Sequence, residues 1–177
     1  MEKIENLCIQ GERVYMRTLN IDDCSQEYVD WINDSQINRY LETRWSTQDM
    51  ETVKSYVATM LESPDNLLFG IFLKEDDRHI GNIKVGPINR LHSFCEVSYF
   101  IGDRNAWGRG FGSEAVGLIT SYVLDELKLN KILAGVYRSN IGSICVLEKN
   151  GYRLEACFTN KLRLDSVWVD HLVYSAP

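Results

Sequence analysis

Apolar and polar residues alternate along 12–19, Glu-Arg-Val-Tyr-Met-Arg-Thr-Leu, with the period of two that marks a half-buried strand. The period then lengthens. Asp22 or Asp23 is placed to cap a helix reaching about 30–33, and Ser46 or Thr47 to cap a second over 48–61. In that second helix Met50, Val53, Val57, Met60 and Leu61 share one face, and Ser63-Pro64-Asp65-Asn66 ends it. Two apolar runs, 67–73 and 79–85, are joined by the charged turn Lys74-Glu-Asp-Asp-Arg78, which predicts an antiparallel hairpin closed by Pro87. The next strand covers 93–101. Phe94, Glu96, Ser98 and Phe100 lie on one of its faces, and Cys95, Val97, Tyr99 and Ile101 on the other. Ala115, Leu118, Ile119, Tyr122 and Val123 then recur at helical spacing. The nearly all-apolar run 131–137 reads as a central strand buried on both faces. Residues 140–152 read as a short helix stopped by Asn150-Gly151, and 153–164 with 166–174 as a closing hairpin around Leu164-Asp165. The order predicts an α/β (α+β) fold.

Composition narrows the class. At 177 residues, 45% hydrophobic and 25% charged, the chain suits a single domain (1–177, core about 12–174) that buries a core without staples. A net charge of −6 disfavours nucleic acid as a partner and favours an amine-bearing one. Cys8, Cys24, Cys95, Cys145 and Cys157 are odd in number and without CxxC spacing, which points to reduced thiols and a cytoplasmic setting. His79, His92 and His171 lack ligand spacing, so no metal is expected. The opening Met-Glu-Lys-Ile-Glu-Asn has no basic, apolar leader, and no apolar run approaches membrane length, so neither a signal peptide nor a membrane partner is expected.

Chemistry concentrates in 100–115. Gly108, Gly110 and Gly112 stand at every second position just before a helix, so backbone N–H groups and the positive helix end can face one anionic point. No Lys-Ser or Lys-Thr follows, which excludes a nucleotide-triphosphate loop, and the glycine spacing does not fit a dinucleotide fold. A second motif lies one helix and one strand later: Asn140, Ser143, Glu148, Lys149, Gly151 and Tyr152. Together, Trp107-Gly-Arg-Gly-Phe-Gly112 and this second motif resemble the GNAT superfamily of N-acetyltransferases. The Trp at 107, where most members have Arg or Gln, resembles the branch acting on ribosomal-protein N-termini and small amines.

The resemblance implies one GNAT-like domain: a mostly antiparallel twisted sheet of about seven strands flanked by helices and splayed beside the pyrophosphate loop. It implies acetyl-CoA as cosubstrate and direct transfer to a primary amine. Its correspondence puts Trp107, Gly108, Arg109, Gly110, Gly112 and Ser113 on the pyrophosphate, the backbone of Phe100, Ile101 and Gly102 on the pantetheine arm, and Asn140 and Ser143 at the CoA. Glu96, in a strand interior between Phe94 and Phe100, is the candidate general base, directly or through a water; the alternative is a cross-strand ion pair or a solvent-facing position. The thiol-protonating slot often held by Tyr is Leu147 here, which leaves Ser143, with water or Tyr137 as substitutes. Aromatic, Asn and Arg residues in 28–44, among them Trp31, Asn33, Arg39 and Tyr40, are expected to wall the acceptor, as are Asp170 and Tyr174. The acceptor is a small-molecule or peptide amine: an amino sugar nucleotide, a protein N-terminus or an aminoglycoside-like drug. A CoA-binding regulatory module without catalysis is the rival class, and a homodimer is left open.

Overall fold

The computed structural model describes residues 7–177; the opening residues read above for a leader lie outside the described residues. One sheet of eight strands runs through the chain in the order β1-β2-β3-β4-β5-β6-β8-β7. The strands are β1 (Cys8–Gln10), β2 (Val14–Thr18), β3 (Leu67–Leu73), β4 (His79–Asn89), β5 (Phe94–Ile101), β6 (Lys131–Tyr137), β7 (Arg153–Leu164) and β8 (Val167–Ala176). Four helices flank them: α1 (Gln26–Asn33), α2 (Met50–Glu62), α3 (Phe111–Ser121, continued by one π turn over Tyr122–Glu126) and α4 (Ile141–Lys149).

The odd residues of β5, Cys95 and Val97, pack with Phe111, Ala115, Val116 and Ile119 of α3 and Leu147 of α4 in the main core. The opposite face carries a second cluster, in which Tyr28, Val29, Trp31 and Ile32 of α1 meet Val53 and Val57 of α2 over Leu68. Burying each such aliphatic side chain contributes about 1.5–3 kcal/mol. The pairing of β5 with β6 is the sheet's single parallel contact among the described residues, and it covers only Phe94↔Lys131, Cys95↔Ile132 and Glu96↔Leu133. Beyond Glu96 the two strands diverge. This is the expected splay.

Several local expectations change. The strand β1 is additional, so the sheet has eight strands. Ser25, whose hydroxyl accepts from Tyr28 N–H (3.1 Å), caps α1. Asp23 instead grips Arg17 through two bonds of 2.6 and 2.7 Å. Asp49, accepting from the N–H and hydroxyl of Thr52, caps α2 in place of Ser46 or Thr47. Pro87 does not end β4, because a register shift between Val85 and Ile88 absorbs it. β6 is unevenly buried: Ile132, Ala134 and Val136 are buried on one face, while on the other Tyr137 is buried, Lys131 and Leu133 are half-buried and Gly135 is exposed. The β7–β8 turn sits one residue later than expected, at Asp165-Ser166, both with positive φ, as a two-residue hairpin turn requires.

Candidate active site

The glycine loop has the conformation its spacing predicts. Gly108 (φ 70°) and Gly110 (φ 85°) are left-handed, and Gly110 is the N-cap of α3. Gly112 is helical; a Cβ there would only touch Ile101 and Tyr99 at 3.5 Å, so its contribution is an uncovered approach to the helix end. The first N–H to find a helical partner is that of Glu114, bonded to Gly110 O (3.0 Å), which leaves the N–H groups of Phe111, Gly112 and Ser113 as donors at the positive end of α3. These donors, with two cations close by, fit a pyrophosphate.

The loop is clamped by residues that the sequence reading did not single out. Glu114 Oε1 accepts from the N–H groups of Arg13 (2.8 Å) and Val14 (3.1 Å), and its Oε2 from Arg13 Nε (3.1 Å). Arg13 Nη1 then donates to Arg109 O (2.9 Å), and the guanidiniums of Arg13 and Arg109 each lie 4.9 Å from the Phe111 ring. Burial would push the Glu114 carboxyl up, but the two N–H donors and the guanidinium of Arg13 hold it below the usual range. Trp107 is exposed and donates its indole N–H to Ile101 O (2.8 Å), tying the loop to the end of β5. Ser113 Oγ and O both accept from Asn150 Nδ2 (3.2 and 3.0 Å), which fastens α4 to the first turn of α3.

The register of β4 and β5 decides which backbone groups face the splay. Gly102 N–H bonds Ile80 O (2.8 Å), so even residues of β5 turn their backbone toward β4, while Tyr99 and Ile101 turn theirs toward the gap. The expected pantetheine donors at Phe100 and Gly102 are therefore engaged elsewhere, and Trp31 covers Gly102, where a Cβ would lie 2.1 Å from the indole. The Ile101 N–H stays available, joined by Tyr99, while the Ile101 carbonyl is held by Trp107.

On the α1/α2 face lies a cavity of about 520 Å³. Its floor is Asn82 and Lys84 of β4 with Ser98 and Phe100 of β5; Tyr28 and Ile32 of α1, Thr52 and Tyr56 of α2, and Tyr40 to Thr43 of the connecting segment wall it. Of the six expected acceptor residues only Tyr40 lines it, its hydroxyl donating to Ser139 O (3.2 Å). Trp31 is buried beneath, 5.2 Å from His79. The Asn33 amide is spent on Val29 O, Gln48 O and Gln48 N–H, and Arg39 pairs with Asp165 (2.7 Å). Asp170 and Tyr174 lie on the α4 face of β8. Asp170 binds Arg138 Nε (2.8 Å) and Asn160 N–H (3.0 Å), and buried Tyr174 donates to Glu148 (3.1 Å).

Glu96 follows Ser98 on the floor face, at the last paired position of β5 with β6, and so stands at the apex of the splay. It is exposed, without the apolar surround expected from Phe94 and Phe100. His171 stands on the same face above Gly135; burial, then the Lys161 ammonium, holds its imidazole below its ordinary value against the pull of Glu96. Across the gap the Tyr99 hydroxyl donates to Ser143 Oγ (3.2 Å), and Asn140 caps α4 by accepting from Ser143 N–H (3.2 Å). Burial raises the Tyr99 phenol, so it keeps its proton and leaves the Ser143 hydroxyl hydrogen free to point into the gap. Leu147 is buried in the core, and Tyr137 is held by Arg44 and Glu42.

Residues 13–153 match the Acetyltransferase (GNAT) domain. The chain is 31% identical over 172 residues to YjcK of Bacillus subtilis (strain 168), a protein named as a probable N-acetyltransferase, covering 93% of this chain and 94% of that one. In fold it is similar to RimL, a ribosomal L7/L12 alpha-N-protein acetyltransferase solved with coenzyme A (TM-score 0.86, 14% identity, 96% of this chain and 97% of that one). It is likewise similar to the spermidine N-acetyltransferase of Vibrio cholerae solved with CoA and spermine (TM-score 0.83, 17% identity, 93% and 95%). A glycine loop whose free N–H donors suit a pyrophosphate, a sheet that opens beside it and a family match spanning most of the chain agree: this protein is an acetyltransferase belonging to the GNAT family.

Proposed function

We propose that the chain transfers acetyl from acetyl-CoA to a primary amine by direct attack within a ternary complex. When bound, acetyl-CoA supplies an activated acetyl group as a thioester. The N–H groups of Gly112 and Ser113, with the Ser113 hydroxyl and Arg109, hold its pyrophosphate, Gly108 and Gly110 keep that approach clear, and Trp107 fixes the loop to β5. Backbone N–H groups of Tyr99 and Ile101 bind the arm like an added strand and polarise the carbonyl. Glu96 takes the ammonium proton, directly or through a water, and Ser143, polarised by Tyr99 and positioned by Asn140, returns a proton to the leaving thiolate. Cys95 offers no nucleophile, since burial and the Glu96 charge push its thiol up to about 12, and no covalent enzyme intermediate forms.

The single observation that carries this reading is the position of Glu96 at the apex, with the α3 donors beyond one face of the sheet and the amine cavity on the other. Neighbours of the same fold act on a ribosomal-protein α-amine and on spermidine, both amines. The aromatic and polar cavity wall favours an amino sugar nucleotide as acceptor, ahead of a protein N-terminus or an aminoglycoside. Measuring thiol release from acetyl-CoA across an amine panel tests the reaction. Glu96→Gln is expected to lower kcat by about 10²- to 10⁴-fold at unchanged CoA affinity. Tight CoA binding with no turnover on any amine would refute acetyl transfer and favour the regulatory module.

A further inference from the structure

Two buried polar atoms of the amine cavity have no hydrogen-bond partner among the described residues, Asn82 Nδ2 and Thr43 Oγ1. Asn82 is only 3% exposed, and its orientation is fixed by its neighbour. His79 Nε2 contacts two atoms, Gly81 O at 2.9 Å and Asn82 Oδ1 at 2.8 Å. A carbonyl can only accept, so Nε2 carries the proton; the Asn82 atom facing it must then be the oxygen. Burial keeps His79 neutral, and Phe72 and Trp31 pack its ring at 4.9 and 5.2 Å, so the arrangement is rigid. The Asn82 NH₂ is therefore turned away from His79 and into the cavity. The Tyr28 hydroxyl lies beside it, close enough for the Asn82 amide to pull the phenol down against burial, so one N–H of the amide faces Tyr28 and the other is left for a ligand.

Lys84 stands two residues along β4 on the same face, with no ion-pair partner among the described residues. The one carboxylate lining the cavity, Glu42, already accepts from the Tyr137 hydroxyl (3.1 Å) and Trp45 Nε1 (2.9 Å). The lining thus offers N–H donors, a hydroxyl and a cation beside Asn82, and its one carboxylate, Glu42, also lies 3.7 Å from Arg44. A buried donor left unpaired costs free energy that a ligand oxygen recovers.

Resting on the acetyl-transfer reading above, we propose that the acceptor amine carries an oxyanion, a carboxylate or a phosphate, seated between Asn82 Nδ2 and Lys84 Nζ with Thr43 Oγ1 as a third contact. Asn82 is level with Phe100 and Lys84 with Ser98, so an anion seated between them lies about three residues, roughly 10 Å along β5, from Glu96 and the amine to be acetylated. A polyamine, all cation and no acceptor, meets repulsion at Lys84 and leaves Asn82 unpaired.

The test is calorimetry on the CoA-loaded protein together with kcat/KM from thiol release. The probes are amines bearing a carboxylate, amino sugar phosphates, the matched neutral amides and alcohols, and spermidine. The anionic members are expected to be favoured by about ten- to a hundred-fold, with the carboxylate and phosphate arms telling the two sources apart. Asn82→Asp keeps an oxygen toward His79 and replaces the donor by an anion, so it is expected to abolish or invert that preference. Lys84→Gln, which leaves the His79 contact untouched, is expected to reduce it about tenfold, with CoA affinity unchanged in both. Equal or better binding of neutral or polycationic amines, or an unchanged order in both variants, overturns the proposal while acetyl transfer stands. Anion preference lost in Asn82→Asp without turnover of any amine supports the pocket assignment and refutes the reaction.

Discussion

Gly112→Asp separates the ligand-binding role of the glycine loop from its structural role. Position 112 is the second residue of α3 and has no positive φ; a Cβ there makes ordinary contacts with Ile101 and Tyr99 at 3.5 Å. Gly112→Ala is thus a control that fits, and it is expected to raise stability by up to about 1 kcal/mol through the unfolded chain. Asp at this position also sits well with the protein itself, since a carboxylate in the first turn gains about 0.3–1 kcal/mol from the helix dipole. Against a bound pyrophosphate the sign reverses. Two unit charges in contact repel by about 1 kcal/mol in water and about 4 kcal/mol where solvent is partly excluded. With two phosphate charges the penalty is at least about 2 kcal/mol, roughly 30-fold in Kd. Calorimetric titration of CoA and thermal unfolding of both variants read the two quantities. Weaker CoA binding at unchanged or higher Tm is the expected result. CoA affinity in Gly112→Asp equal to that of Gly112→Ala would refute the assignment of this helix end to the pyrophosphate.

Glu114→Gln is expected to cost about 1–3 kcal/mol, because the partly buried carboxylate anchors Arg13 and the start of β2 to α3. Its folded pKa is depressed, so its contribution is complete above the ordinary glutamate range and is lost as pH falls through the folded value; Tm measured against pH should lose part of its acid decline in the variant. Gly102→Ala drives a Cβ into the Trp31 ring at 2.1–2.5 Å and should destabilise by about 1–3 kcal/mol, read as a Tm fall of several degrees; an unchanged Tm would show that Trp31 moves freely. Ser143→Ala is expected to lower kcat by about 10²-fold without altering CoA affinity, and full activity in the variant would assign the thiolate proton to water.

The fold was legible wherever periodicity and punctuation agreed. The alternation in 93–101, the glycines at 108 and 110 and the Asn150-Gly151 stop each correspond to an element in the structure. Helix starts were missed by two or three residues, because 20–25 and 46–49 each hold several residues able to cap; Asp23 is claimed by Arg17, and that pairing leaves the cap to Ser25. β1 escaped notice because three residues, two of them exposed, carry almost no pattern. The cavity was the least legible part. Trp31, Asn33 and Arg39 have the chemistry of a binding wall, yet packing, a backbone staple and an ion pair use them up. Asn82 and Lys84 drew no notice within the run 79–85, and only the register that sets them opposite Phe100 and Ser98 brings them to the floor. Glu114 gave no signal either, since its partner lies 101 residues away in the chain.

The short parallel pairing of β5 with β6 also bears on how the two substrates sense one another. Three residue pairs join a slab of five strands to a slab of three, and past Glu96 the angle between the slabs is held by side chains that cross the gap. Those crossings include Tyr99 to Ser143, Tyr40 to Ser139, Arg44 to Tyr137 and Arg163 O, Tyr137 to Glu42, and Arg39 to Asp165. Tyr99 and Tyr40 are at the same time walls of the cavity on the α1/α2 face. On the proposed reading, an arm that wedges between β5 and β6 and an amine that fills the cavity act on one set of struts. Whatever free energy the first ligand spends on opening the slabs is returned to the second, and linkage makes that coupling equal in either order of addition.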